Sequence, residues 1–71
     1  MTYYSTNQSE HTWCKLNAKS LLGAKRECNK DYDFASEIEI AVVDEHLPDV
    51  LQQYEVVAIR KPYATKWINL N

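Results

Sequence analysis

The stretch of sequence that decides the fold is Asn17-Ala-Lys-Ser-Leu-Leu-Gly-Ala-Lys-Arg-Glu-Cys-Asn-Lys30. Ser20 is placed as an N-cap, because its hydroxyl can accept a hydrogen bond from a free N–H of the first turn. Leu21, Ala24 and Cys28 then recur at helical spacing, which predicts an amphipathic helix over Ser20–Lys30. One helix of about three turns cannot bury its apolar stripe alone. The sequence therefore requires a sheet on which this helix packs.

Short β-favouring runs lie on both sides of the helix. In the clearest of them Ile38, Ile40 and Val42 alternate with Glu37, Glu39 and Ala41, which is typical of a strand with one apolar and one largely charged face. The carboxylates of Asp31 and Asp33 are unfavourable at the negative end of the helix dipole and help to end the helix. Five strands are predicted, at Thr2–Thr6, Thr12–Leu16, Ser36–Asp44, Tyr54–Arg60 and Lys66–Leu70. A polar turn over Asn7–Glu10 joins the first two strands, and Pro48 argues against a strand in the connection from Asp44 to Asp49.

These elements predict an α+β fold in a single small domain covering residues 1–71. Its core is a twisted, mostly antiparallel sheet of about five strands, with one helix packed on one face and the chain order ββαβββ. The 71 residues include two Trp and five Tyr, and an apolar fraction of 45% is sufficient for a core. We expect no membrane span, since no apolar run approaches ~18 residues. We also expect no secretory signal, which makes the cytoplasm the default compartment.

Enzyme chemistry finds little support in the sequence. One Gly excludes a glycine-rich phosphate loop, and no Ser-His-Asp or Cys-His arrangement stands out. Cys14 is predicted to lie in a strand under the helix and Cys28 on the buried face of the helix, so both thiols are expected to be buried. The two could be close enough for a disulfide, although two reduced apolar side chains in the cytosol are the simpler interpretation. Because His11 and His46 lack metal-ligand spacing, we expect no metal, no cofactor and no enzymatic activity.

Charge is strongly segregated along the chain despite a net charge of −2. Lys15–Lys30 contains five basic residues and one acidic residue, whereas Asp31–Glu55 contains eight acidic residues and no Lys or Arg. Arg60, Lys61 and Lys66 make the last two strands basic. Solvated faces that keep a small protein soluble explain this pattern. The alternative is a bipolar surface that steers docking onto a charged macromolecule.

An uncovered face of the sheet is a second candidate for binding. If Cys14 and Leu16 face the helix, then Trp13 and Lys15 lie on the other face, where we also expect Trp67 and Glu39. Aromatic side chains flanked by Lys can stack on single-stranded nucleic acid or anchor a protein. They can also close a small core on that face or pack at strand ends. A weakly acidic chain lacks the overall positive field of most nucleic-acid binders.

Two short motifs resemble those of very small proteins encoded by bacteriophages and prophages. Ala18-Lys-Ser-Leu-Leu-Gly-Ala-Lys-Arg26 looks like their S-L-x-x-A-K-R helix entry, and Thr65-Lys-Trp-Ile-Asn69 resembles their K-W-[VI]-[DN] terminal strand. Together with two strands before the helix and three after it, the chain is similar to a family of compact anti-CRISPR proteins that block type I surveillance complexes. The resemblance covers most of the chain in the order of elements, but only about a dozen residues in identity.

The resemblance implies a non-enzymatic protein that binds a host protein or ribonucleoprotein complex in the bacterial cytoplasm. The resemblance implies that Lys25 and Arg26 contact the partner. We add other residues to the predicted partner-binding set because of their charge or their position in the sheet. The full set is Trp13, Lys15, Lys25, Arg26, Lys30, Lys66 and Trp67. Two alternatives stay open: a nucleic-acid-binding module that uses Trp13, Trp67, Lys15 and Lys66, and a structural or oligomeric phage accessory. The acidic segment Asp31–Glu55 is not required by the resemblance, and it could instead occupy a basic groove of a host protein.

Overall fold

The structure is a computed structural model that describes residues 1–7 and 12–70. Its α-helix, α1, spans Leu21–Asp31. Ser20 is the N-cap, and its Oγ accepts a hydrogen bond from the N–H of Gly23 at 3.1 Å. The backbone becomes extended at Tyr32, the C-cap, whose N–H still donates to the Cys28 carbonyl. The predicted helix and its N-cap are therefore confirmed.

Five strands form one antiparallel sheet, in the spatial order β2-β1-β3-β4-β5. In chain order they are β1 at Thr2–Asn7, β2 at Cys14–Lys15, β3 at Ile38–Val43, β4 at Glu55–Arg60 and β5 at Ile68–Asn69. A short 3-10 helix at Asp49–Leu51 lies in the connection between β3 and β4. The order β-β-α-β-β-β is the predicted one. The predicted polar turn over Asn7–Glu10 falls largely on residues 8–11, which lie outside the described part of the chain together with residue 71.

The register of the strands defines which side chains share a face. Ser5, Ile40 and Ala58 are aligned across β1, β3 and β4, and the Ser5 hydroxyl is hydrogen-bonded at 2.9 Å to that of Tyr32, just after the helix. This row therefore lies on the helix side. The core on that side is formed by Leu16, Ala24, Cys28, Ile38, Ile40 and Ala58. Ala24 and Cys28 are fully buried, so the predicted apolar stripe of the helix is confirmed.

A register shift interrupts the pairing of β3 with β4. Ile40 pairs with Ala58, but the next residue, Ala41, pairs with Val56. Val57 is therefore an extra residue in β4, which is the pattern of a β-bulge. Both Val57 and Ala58 pack against the helix-side core as a result. The bulge explains why this strand has apolar residues without strict alternation.

The face of the sheet away from the helix is less polar than the alternation in β3 predicts. Ala41 and Val43 are buried, although the sequence pattern places them on the exposed face. Tyr4 pairs with Ala41, and its ring centroid lies 5.2 Å from that of Tyr54, in an edge-to-face arrangement. Aromatic rings from β1 and from the residue before β4 thus shield the middle of β3, whose own sequence gives no sign of this cover.

We predict that Ile40→Ala lowers the free energy of unfolding by about 2–5 kcal/mol, because it leaves a cavity at the centre of the core. Ile40 is fully buried, whereas Val50 is 91% exposed and provides the control Val50→Ala. The control should change stability by less than about 0.5 kcal/mol. Urea denaturation followed by circular dichroism measures both. Equal effects of the two substitutions would contradict the assignment of the core.

Candidate functional site

The outer face of α1 carries several cations, and the one acidic residue in the interior of the helix, Glu27, has its carboxylate engaged at the helix entry. The Glu27 carboxylate accepts hydrogen bonds from the backbone N–H groups of Asn17 and Ala18 at 3.0–3.1 Å. It thereby fixes the loop that enters the helix. We call Lys19, Lys25, Arg26 and Lys30 the basic helix face. No carboxylate of the described residues forms an ion pair with these four side chains.

The members of this face differ in exposure and in hydrogen bonding. Lys25 is half-buried, and its Nζ donates to Oδ1 of Asn69 at 2.6 Å, which ties the helix to the edge strand β5. Arg26 and Lys30 are exposed and lie one helical turn apart. Lys30 also lies in the last turn, where a cation interacts favourably with the helix dipole. Arg26 and Lys30 are therefore the cations most available to a partner.

Trp67 lies on the helix side of the sheet, so its predicted position beside Trp13 and Glu39 is wrong. Its indole packs against the helix-side core, and its Nε1 donates to Oδ1 of Asn29 at 3.3 Å. Asn69 pairs with the helix-side Ala58, so Trp67, two residues before it, lies on the same face, as strand alternation requires. The apolar residues that alternate with it, Ile68 and Leu70, are 50% and 37% exposed, so the prediction assigned the two faces of this segment the wrong way round.

Arg60 is a buried cation that the sequence pattern counted as part of a basic surface. It is only 4% exposed. One guanidinium nitrogen donates to Oδ1 of Asn29 at 2.8 Å, and another donates to the Asp33 carbonyl at 3.0 Å. The guanidinium carbon also lies 5.9 Å from the ring centroid of Trp67, within cation–π range. Its Nε has no hydrogen-bond acceptor in the described part of the chain. Arg60 thus holds the end of α1 against β4 and is not a surface contact.

We predict that Asn29→Ala destabilises the fold by about 1.5–3 kcal/mol, because the Asn29 amide oxygen accepts from both the Arg60 cation and the Trp67 indole. In a Trp13→Phe background Trp67 is the sole tryptophan, so its emission should shift to longer wavelength when the indole loosens. Asn17→Ala is the control, because Asn17 is exposed and its hydrogen bonds in the described part of the chain are made by its backbone N–H. An unchanged midpoint and emission in Asn29→Ala would contradict the assigned role.

Trp13 and Lys15 lie on the opposite face of the sheet, as predicted. The Trp13 ring stacks on Tyr54 at a centroid distance of 5.0 Å and an interplanar angle of 4°. Lys15 pairs across the sheet with Tyr4, and its Nζ lies 3.8 Å from Oε1 of Glu45. The tyrosine hydroxyl donates to the same carboxylate at 3.0 Å. Hydrogen bonds from Thr2 and Tyr4, together with the nearby Lys15 charge, lower the pKa of Glu45. That carboxylate is thus kept ionised at the edge of the aromatic cluster.

The seven predicted contact residues therefore fall into two groups. Lys25, Arg26 and Lys30 lie on the helix side together with Trp67, and Lys66 directly precedes it in the chain. Trp13 and Lys15 lie on the far face of the sheet. The composite nucleic-acid surface expected from Trp13, Trp67, Lys15 and Lys66 is not assembled, since the two indoles are on opposite faces.

The two cysteines are both free thiols with different surroundings. Cys28 is fully buried, and desolvation raises its pKa to about 11. Cys14 is exposed, so its expected burial under the helix is wrong. It pairs with the buried Ser5, but it lies in the two-residue edge strand β2, beyond the cover of the helix. The disulfide alternative does not occur in this structure.

We predict that iodoacetamide at about pH 8 modifies Cys14 and leaves Cys28 unmodified, since reaction requires an accessible thiolate. Both should react in denaturant, and mass spectrometry counts the adducts. A raised pKa in the folded state also predicts that the stability contributed by burying the Cys28 thiol is complete below pH 9 and is lost as the pH rises towards about 11. Cys28→Ala should remove this alkaline dependence. Rapid double labelling of the native protein would contradict the assignment.

Other features that would indicate a function class are not found in the described residues. No group of three or more His, Cys, Asp or Glu side chains among them is arranged to hold a metal ion. Within the same residues no helix has the length and apolar character needed to cross a membrane. Comparison with protein-family models, curated proteins and solved structures finds no match to this chain. The resemblance to small phage proteins therefore rests on the two motifs and the order of elements.

Proposed function

We propose that this protein is a non-enzymatic interaction protein of phage type, which binds a host nucleic-acid-handling complex in the bacterial cytoplasm and inhibits or modulates it. A type I CRISPR surveillance complex is the proposed target class. The observation that carries the proposal is the basic helix face. It presents Arg26 and Lys30 as exposed cations on α1, while the carboxylate of Glu27 is engaged with backbone N–H groups at the helix entry.

The physical basis of such binding is electrostatic complementarity. A surface that carries phosphates or carboxylates attracts Arg26 and Lys30, which are exposed. Arg forms bidentate contacts with phosphate or carboxylate, whereas Lys acts as a point charge. Lys25 is partly engaged with Asn69, so it contributes at the margin of the contact. Inhibition then results from obstruction of the target's own nucleic-acid path, and it requires no catalytic group.

We predict that Lys25→Glu combined with Arg26→Glu abolishes binding to a purified type I surveillance complex and leaves the fold intact. In bacteria that carry such a system, the wild-type protein should restore plating of a targeted phage, and the double variant should not. Circular dichroism verifies that the double variant is folded.

The matched control compares the single reversals Arg26→Glu and Lys61→Glu, which change net charge equally. Lys61 is exposed and directly follows β4, and it is already paired with Glu37 at 3.0 Å. Only Arg26→Glu should weaken binding, by about tenfold or more for a central contact. Unchanged inhibition by the double variant would overturn the contact assignment, and absence of binding by the wild-type protein would overturn the target class.

A further inference from the structure

A groove lies at the end of the sheet where β1 begins, β3 ends and β4 begins. Its cavity volume is about 450 Å³, within the range of ligand and anchor pockets. Met1, Leu47, Leu51 and Tyr54 contribute its apolar walls, and Asp44 and Glu55 contribute carboxylates. We call this cavity the terminal groove. It lies at the start of β4, whereas Arg60 lies at the end of that strand. It shares no residue with the basic helix face.

Exposed apolar side chains are concentrated around the terminal groove. Leu47 is 42% exposed, Tyr54 47%, Leu51 59% and Met1 78%, while Val50, in the adjacent 3-10 helix, is 91% exposed. These five are half of the ten large apolar side chains that are exposed in the described part of the chain. Contiguous exposed apolar surface with a polar rim is typical of a binding site. The sequence does not indicate this groove, because most of its apolar residues lie in the connection between β3 and β4, which has no periodic pattern.

The rim of the terminal groove is predominantly acidic. Asp44, Glu45, Asp49 and Glu55 all belong to the segment that forms or flanks it, and no Lys or Arg occurs between Asp31 and Ile59. Two cations lie near this rim in the described part of the chain, Lys15, whose Nζ is 3.8 Å from Glu45, and the α-ammonium group of Met1, and the four carboxylates outnumber them. An apolar floor with an acidic rim selects an occupant that carries apolar side chains flanked by positive charge.

We propose that the terminal groove binds a cationic amphipathic helix of a partner protein. Such a helix places apolar anchors at i, i+3 and i+4 in a groove while its flanking Lys or Arg side chains meet the rim. A second copy of this chain fits less well. The outer face of its own helix is basic, but Leu22 is the one exposed large apolar side chain that α1 offers. Because this groove is separate from the basic helix face, the proposal does not depend on the proposed function.

A labelled model peptide tests the proposal directly. The probe is a fluorescein-labelled peptide of about 18 residues, made of Leu and Lys with Leu on one helical face. Fluorescence anisotropy should show saturable binding that weakens with salt. Peptides of the same length with Glu in place of Lys, or with Leu and Lys scrambled, should not bind. Tyr54 lines the groove and stacks on Trp13, so in a Trp67→Phe variant the emission of Trp13 should change on binding.

Two matched pairs of variants locate the site. Leu51→Ser and Leu22→Ser alter side chains that are each 59% exposed, one in the groove and one on α1. Asp49→Lys and Asp31→Lys change net charge equally, and both residues are exposed. Leu51→Ser and Asp49→Lys should each weaken binding by about tenfold, while Leu22→Ser and Asp31→Lys leave it unchanged.

Several outcomes would overturn the proposal. Equal losses within each pair, or equal binding of the scrambled peptide, would indicate only general attraction of a cation to an acidic chain. Concentration-dependent self-association in analytical ultracentrifugation that is abolished by Leu51→Ser would assign the groove to a second copy. If the basic helix face fails to bind its target while this peptide binds, the proposed function fails and the groove proposal stands.

Discussion

The fold depends on close contact between one short helix and the middle strands of a small sheet. Ala24 and Cys28, the two buried residues of the helix, are small, and they lie in the same buried cluster as the larger Ile38 and Ile40 of β3. Small side chains on the helix let its backbone approach the sheet closely, so that the branched residues of β3 fill the space between them. No second helix covers the sheet in the described residues, so this single contact organises the principal core.

The charged side chains around that contact have three different roles. Glu27 accepts hydrogen bonds at the helix entry, Arg60 of β4 is buried near the helix end, and Arg26 and Lys30 of α1 are exposed. A buried Arg with a hydrogen-bonded guanidinium is costly to desolvate, and its removal leaves partners unsatisfied. The surface charge of the chain is therefore not the sum of its charged residues. The basic character of the end of the sequence is weaker at the surface than its composition implies, because Arg60 is enclosed.

The sequence predicted the order of elements, the helix with its N-cap and the helix-side core, because each rests on local periodicity. It did not predict the aromatic cover over Ala41 and Val43, which depends on Tyr4 and Tyr54 meeting across three strands. The predictions for Trp67 and Cys14 failed for different reasons. Alternation groups Trp67 with Asn69, but it does not determine which side of the sheet the pair faces. Cys14 lies on the predicted face, opposite Ser5, but its edge strand extends beyond the cover of the helix. The cavity beside Leu51 arises from the fold of a connection, and no repeating pattern marks it.

The two edge strands of the sheet affect how the molecule can bind other proteins. β2 and β5, the outermost strands, each comprise two residues, and each is a short ladder against a longer neighbour. A long free edge would offer an unpaired row of N–H and C=O groups to any extended chain in the cell, whereas short edge strands restrict such pairing. The protein thus leaves little room for recruitment by strand addition or for growth into extended β-assemblies. Recognition falls instead to side chains, whose identity selects among partners in a way that a bare backbone edge cannot.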